Sequence, residues 1–558
     1  MRDGILHAVQ TAAARSRLGR VLAGAALVIS LVAGLIGLDW GLPYAWHPDE
    51  KVEIAVDMLK RGSADPRYFT NPTFQIYLVT GAVWAAQHLV PGTPQFAMPA
   101  IVPLTDPAHP NRATQFAVHR AGRLVSVLGV MLAVGLLYVT TAARLGEVAG
   151  GLAALGLSCV AGVINVAHFA TPEGTLLALS AACFASALRL QERPIVSRAA
   201  TAGLLVGLAM STKYTALLLA AATIWAMWTL RGTVAWRRLI WLAAAALAGF
   251  CVGVIIGTPY ALLDFPRYWR DGIVFSWGGG VPGDSFLAER RSWVVYVAHL
   301  ANAMGWPLFL SSLGGMMVAW MGLGGPSARR TLSLHGISAL SFWAVLGTTT
   351  DRFSQMRFIL PIVPSLCVGF GAGAAFVLTQ ERRTIRAVAA VGVVAVLAYS
   401  AAYSVVGLRK FVRDPRYAAG VWLSRSLAPG VEVDYFAIES YVPYFDRPTY
   451  SLRFIDDVWR LRRNEAAFLV WRGPALAAMT GVIVDASTYY NRYLDNVDRF
   501  PQRAAFYRDL LAGVDPSGYR PVARFVIDGP WWLNPQMEFA GPEVVILAKP
   551  GQIRPEVH

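Results

Sequence analysis

Apolar stretches, most of them long enough to cross a bilayer as a helix, recur at about residues 21–38, 73–90, 119–141, 148–166, 175–190, 199–211, 214–230, 239–256, 294–321, 333–348, 357–378 and 387–407. The polar residues between them are patterned as well. Arginines mark alternate gaps: Arg144, then Arg189, Arg193 and Arg198, then Arg231, Arg237 and Arg238, then Arg329 and Arg330, then Arg382, Arg383 and Arg386. Placing those gaps and the N-terminus in the cytoplasm satisfies the positive-inside rule, provided one run between Leu38 and Arg144 fails to span. The candidate is 73–90, which is short, flanked by prolines, and contains Gln75, Gln87 and His88. It reads as a re-entrant or interfacial helix, leaving about eleven spans.

This parity puts Asp49, Glu50, Glu173, Lys213, Asp264, Arg352 and Arg357 on one face, the outer one. Charges of both signs on one side are what a single active site requires. From about Arg409 the pattern changes: charged residues, Tyr, Asn and Pro become frequent and no run reaches membrane length. Short β-like runs at 431–437, 481–485 and 543–547, with helical spacing over 416–427 and 495–511, predict a water-exposed α/β domain over 409–558. The chain thus divides into a transmembrane part, 1–408, whose first outer loop is 39–118, and an extracytoplasmic domain.

Composition agrees with many spans. The chain of 558 residues is 55% hydrophobic, with a mean hydropathy of +0.46, too apolar for a soluble protein. Lys and Arg outnumber Asp and Glu by 49 to 34, but they sit in short clusters between apolar runs, so the surplus orients the protein in a membrane and implies no nucleic-acid partner. Cys159, Cys183, Cys251 and Cys367 all fall in apolar segments without metal or disulfide spacing. The first run follows Arg15, Arg17 and Arg20, lacks a small-residue cleavage site, and reads as a retained anchor.

The candidate chemistry begins at Trp46-His47-Pro48-Asp49-Glu50. A carboxylate held at a membrane boundary is costly and tends to mark function, and it acts as a general base when fixed near a hydroxyl. His47 is a candidate pocket residue, and the following 51–61 reads as an amphipathic surface helix. In His168-Phe169-Ala170-Thr171-Pro172-Glu173, Glu173 has three readings: pairing with an arginine, orienting an acceptor, or capping the next helix. Lys213, between two apolar runs, must snorkel, pair with an acid, or bind an anion such as phosphate. Arg120, Arg123, Arg352 and Arg357 lie on the outer side against the positive-inside trend, as partners for a lipid phosphate or the acidic loops. Tyr260 and Asp264 are weaker candidates. No metal-binding pattern stands out; His47 with Asp49 and Glu50 is the nearest approach to one.

These residues, in this order, resemble the membrane-embedded C-type (GT-C) glycosyltransferases of family 39, which includes protein O-mannosyltransferases and lipid A aminoarabinose transferases. The matching pieces are the Asp49-Glu50 pair, Asn71-Pro72-Thr73-Phe74 as a Pro-Pro-Leu-like motif, Arg123-Leu124, Glu173 in the second outer loop, Thr212-Lys213, and the Arg-Phe-x-x-Pro motif from Arg357 to Pro361. The resemblance covers about residues 20–410. The chain carries Glu173 where the family usually has Asp, and Asn71 where the aminoarabinose transferases carry Lys.

The resemblance implies a GT-C fold and an inverting transfer from a polyprenyl-phosphate-linked sugar to a hydroxyl on a glycan, lipid or protein, at the outer face of the plasma membrane. Asp49 would deprotonate the acceptor. Lys213 and Arg357, with Arg123 and Arg352, would hold the donor phosphate. Glu50 and Glu173 would position the acceptor or those cations, with His47, His168 and Tyr260 lining the pocket. No nucleotide or metal cofactor is expected, in keeping with the absence of a Gly-rich phosphate loop. A transporter of lipid-linked glycans and a ligase joining them are the competing readings.

Overall fold

The computed structural model describes residues 2–42, 46–90, 112–274, 292–348, 355–436, 441–443, 450–455 and 465–554. Among them, seven helices are long and apolar enough to cross a membrane: Arg15–Leu35, Phe116–Leu145, Glu173–Glu192, Trp236–Gly257, Gly325–Thr348, Met356–Leu378 and Arg383–Ser426. Two bent pairs, Glu147–Ser158 with Ala161–Ala167 and Trp293–Met304 with Trp306–Val318, and two shorter apolar helices, Val196–Met210 and Tyr214–Thr229, complete the bundle. Counting each bent pair once, the described residues hold nine candidate spans, against the eleven or so expected. The run at 294–321 is not one straight helix: it turns through 111° at Gly305, whose φ of +72° only glycine adopts readily. The short Val196–Met210 helix gains close packing from small residues. A Cβ on Gly203 would lie 1.8 Å from the Ala246 carbonyl oxygen, and one on Gly249 2.0 Å from that of Ala200, the approach that small-xxx-small spacing permits.

The two ends of the bundle differ in chemistry. At one end Glu192 pairs with Arg144 at 3.1 Å and with Arg198 at 3.5 Å. The opposite end gathers the 46–51 loop, the 168–173 loop, Lys213 and Arg357. Two further helices pack there. Val52–Arg61 buries Val52, Ala55, Val56 and Met58, and with Phe74–Leu89 it covers Val118, Ala121 and Ala170 at the head of the Arg112–Leu145 helix. Phe74–Leu89 is anchored where two spans finish: Phe74 N–H donates to Ser211 O at 2.9 Å, and Thr73 Oγ1 to Gly257 O at 2.9 Å.

After the Arg383–Val412 helix, the chain forms a five-stranded sheet: β1 (Val431–Tyr435), β2 (Tyr450–Phe454), β3 (Val482–Ala486), β4 (Arg520–Phe525) and β5 (Val544–Ala548), in the order β2-β1-β3-β5-β4. β1 is parallel to β2 and β3, while β5 is antiparallel to β3 and β4. Alternate residues of the central strands face two different cores. Val482, Val484, Val544 and Ile546 pack with Ala419 and Leu423 of the Pro415–Ser426 helix. Ile483, Val545 and Leu547 pack with Tyr489, Tyr493, Phe506 and Leu510 on the other side. The first of these cores also holds Trp40, Trp46, Phe169 and Phe411, so the sheet shares its hydrophobic interior with the loops at the charged end of the bundle. The helix expected over 495–511 starts later, as Pro501–Ala512, because Pro501 starts a helix rather than continuing one.

Candidate active site

Trp40, Gly41 and Trp46, ahead of the two carboxylates, are each clamped. Trp40 Nε1 donates to Asp414 Oδ2 at 2.9 Å, Gly41 N–H to the Tyr417 hydroxyl at 2.9 Å, and the Arg416 guanidinium lies 4.0 Å over the Trp46 ring. Arg416 is itself paired with Asp414 at 2.8 Å. The sheet domain's first helix therefore fixes where Asp49 and Glu50 point.

Glu50 points inward. Its Oε1 accepts from Arg123 Nε and from Ala170 N–H, each at 2.8 Å, and its Oε2 accepts from Arg123 Nη2 at 2.8 Å. Arg123 Nη1 donates to Leu38 O at 2.6 Å and Trp40 O at 2.8 Å. Both side chains are fully buried. Burial pushes the Glu50 carboxyl up, but Arg123 outweighs it and holds the group at about 2. With these donors committed, Arg123 does not reach out to a donor phosphate as expected; it staples two loops to one helix.

Asp49 points to the rim. Its side chain is 40% exposed, and its Oδ2 accepts from Arg357 Nη2 at 2.6 Å. Against the upward push of burial, Arg357 and His47 hold this carboxyl well below the usual range. Arg357 Nε donates to Gln355 Oε1 at 2.7 Å. Beside it, Lys213 Nζ donates to Glu173 Oε1 at 2.6 Å and sits 3.9 Å over the Phe358 ring. Lys213 is buried and paired rather than snorkelling, and burial lowers its pKa. Glu173, the first residue of its helix, spends Oε1 on Lys213, and among the described residues its Oε2 has no hydrogen-bond partner. Three distant segments and the 49–50 loop thus meet in one cluster of Asp49, Glu173, Lys213 and Arg357.

A pocket of about 30 Å³, lined by Asp49, Tyr68, Asn71, Gln75 and Pro172 among others, opens beside it. That is room for a water or two rather than a sugar ring, so an occupant must displace side chains. Gln75 Oε1 accepts from Thr175 Oγ1 at 2.6 Å, while its buried amide nitrogen has no hydrogen-bond partner among the described residues.

The remaining expectations fare differently. His47 is buried with its ring 4.2 Å from that of Phe169 and 4.3 Å from that of Phe539. Burial lowers its pKa to about 4; its Nδ1 accepts from Asp49 N–H at 3.1 Å. His168 is not a pocket residue: both ring nitrogens lie 2.7 Å from carbonyl oxygens, of Ile164 and Ile36, and the ring stacks on Phe411 at 4.0 Å. Tyr260 packs in a separate group with Phe69, Ala261 and Tyr268. Arg352 lies outside the described residues. Among the described residues no three His, Cys, Asp or Glu side chains converge as a metal set.

One member of the cluster went unforeseen. Glu538, from the segment between β4 and β5, accepts from Arg357 N–H at 3.1 Å and lies 3.7 Å from Arg357 Nε. The stretch Gln536-Met537-Glu538-Phe539 carries no motif, so nothing local marks it.

Comparison with known proteins adds the following. Residues 115–256, which include Arg123, Glu173 and Lys213, match the family model described as dolichyl-phosphate-mannose-protein mannosyltransferase, in keeping with the resemblance read from the motifs. A search of curated protein sequences found no match. Among solved structures, ArnT from Cupriavidus metallidurans in the apo state aligns over 94% of this chain and 97% of its own, at 15% identity and a TM-score of 0.49. The oligosaccharyltransferase AglB from Archaeoglobus fulgidus aligns over 86% and 72%, at 12% identity and a TM-score of 0.48. The S. cerevisiae protein O-mannosyltransferase Pmt1-Pmt2 complex aligns over 51% and 36%, at 17% identity and a TM-score of 0.32.

Proposed function

We propose that the protein is an inverting glycosyltransferase that moves a hexose or pentose from a polyprenyl-phosphate-linked donor to a hydroxyl acceptor. The N-terminus lies in the cytoplasm, and the charged end of the bundle and residues 409–558 lie outside the plasma membrane. The supporting observation is the meeting of Asp49, Arg357, Lys213 and Glu173 at one end of an apolar bundle, within reach of lipid headgroups.

The resting geometry suggests how binding and chemistry are linked. While Arg357 holds Asp49, that carboxylate is a poor base. A donor phosphodiester that takes over the Arg357 fork frees Asp49 and restores its basicity. The acceptor oxygen then attacks the anomeric carbon from the face opposite the phosphate. The new C–O bond forms as the old one breaks, its electron pair goes to the phosphate oxygen, and the acceptor proton goes to Asp49. Lys213 and Arg357 stabilise the charge that accumulates on the leaving phosphate, and Glu173 keeps Lys213 in place. The step is drawn without a metal because these two cations face the leaving group.

The test is a panel of polyprenyl-phosphate sugars incubated with purified protein, following donor consumption. Turnover of at least one donor, lost in Asp49→Asn while lipid phosphate still binds, is expected. Near-normal turnover by that variant refutes the assigned base. Movement of the lipid across liposomes with no acceptor and no donor consumption favours a transporter.

A further inference from the structure

The chain from Pro535 to Gly541 crosses the rim of the site as a strap fastened along its length. Asn302 holds Gln536 from both sides, Nδ2 donating to Gln536 O and Oδ1 accepting from Gln536 N–H, each at 2.8 Å. Lys410 Nζ donates to Pro535 O at 2.7 Å, Arg416 Nη2 to Phe539 O at 2.6 Å, and Gly541 N–H to Asp414 Oδ2 at 2.9 Å. Phe539 is held at φ +62°, a left-handed conformation that is costly for a bulky residue. Its ring packs on His47 and lies 5.6 Å from the Arg357 guanidinium.

What this strap delivers is the Glu538 carboxylate, and that group is poorly served. Among the described residues its buried Oε2 has no hydrogen-bond partner, and the nearest cationic nitrogen, Arg357 Nε, is 3.7 Å away. Glu173 Oε2 is likewise without a partner, but Glu173 and Asp49 each hold one close ion-pair contact of 2.6 Å, which Glu538 lacks. Among the described residues the cluster then counts three carboxylates against two cations. Adding a phosphodiester charge to such a site, away from bulk water, is strongly unfavourable unless one carboxylate is neutralised. Glu538 is the member with least to lose.

Given the phosphate reading above, on which this rests, we infer that Glu538 is a positioning residue supplied by the sheet domain, which shares Arg357 with Asp49 and yields it, taking up a proton, when a phosphate-bearing lipid binds. The groups facing it are Arg357, Lys213 and Glu173, with His47 beneath Phe539 and Lys410, Arg416 and Asp414 along the strap. Burial raises the Glu538 carboxyl against the opposing pull of Arg357. His47 stays neutral and Asp49 ionised across the neutral range.

The test measures binding of farnesyl methyl phosphate, whose single charge does not titrate, to the full-length protein in detergent between about pH 5.5 and 8.5. Wild-type affinity is expected to fall as pH rises, by up to about tenfold per unit, the limit for one coupled proton. Glu538→Gln and Glu538→Ala should both bind at least as tightly as wild type at its acid limit, with a flat profile. Either variant keeping the wild-type slope assigns the proton to Lys213 and overturns the inference; so does loss of binding in Glu538→Ala that only a carboxylate restores. No binding by wild type at any pH overturns the phosphate reading itself.

Discussion

Asp49 and Glu50 are neighbours, each gripped by one arginine, yet their surroundings are opposite. Glu50 and Arg123 are sealed from solvent, and both carboxylate oxygens of Glu50 are engaged. Asp49 keeps 40% of its side chain exposed, lines the pocket, and has a partner, Arg357, that Glu538 also contacts. A saturated pair resists exchange; an under-satisfied one invites it. The difference teaches that burial and partner count, more than the presence of an ion pair, set how readily an acid can exchange its partner.

The contrast is broken most forcefully at Asp49. Asp49→Asn should lower turnover by about 10²–10⁴-fold, the range for losing a general base, while thermal unfolding in detergent stays near wild type. Next, Arg123→Met leaves Glu50 buried without its counter-charge and should cost ~3–5 kcal/mol of stability, read as a large drop in melting temperature. A wild-type melting temperature would show that the staple is dispensable. Arg357→Lys keeps the charge but loses the fork that spans Asp49 and the phosphate. Its expected loss of kcat is on the order of tenfold, below the hundredfold or more of removing a stabilising donor outright. The gentlest test is acid. The Glu50 carboxyl sits at about 2 when folded, below its ordinary value. Its stabilisation is therefore complete above that ordinary value and decays as pH falls through about 2. Unfolding followed from neutral pH down to about pH 2 should show this limb in wild type and Asp49→Asn but not in Glu50→Gln.

The sequence made some of this readable and hid the rest for physical reasons. Hydropathy marked the spans because each carries its own apolar length, but 294–321 looked continuous because its breakers, Gly305 and Pro307, sit within an otherwise apolar run. The three strands read from the sequence, β1, β3 and β5, are the interior of the sheet, buried and rich in Val and Ile. The two unread strands, β2 and β4, are its edges; β4 carries Pro521, Arg520 and Arg524 with little alternation. Adjacent Asp49 and Glu50 drew attention, yet their division of labour depends on Arg123 and Arg357, 73 and 308 residues away. His168 looked like a pocket residue because its sequence neighbourhood does not reveal that Ile36 and Phe411 enclose it. Glu538 stayed invisible because its position depends on how the strap lies across Asn302, Lys410 and Arg416.

That strap makes the terminal domain more than a passenger. A chimaera that grafts a foreign ending after the last span would also exchange one acid beside Arg357 and the aromatic lid over His47. Selectivity would then travel with the graft, and natural recombination at that junction would offer a short route to new acceptors or new donors without touching the bundle.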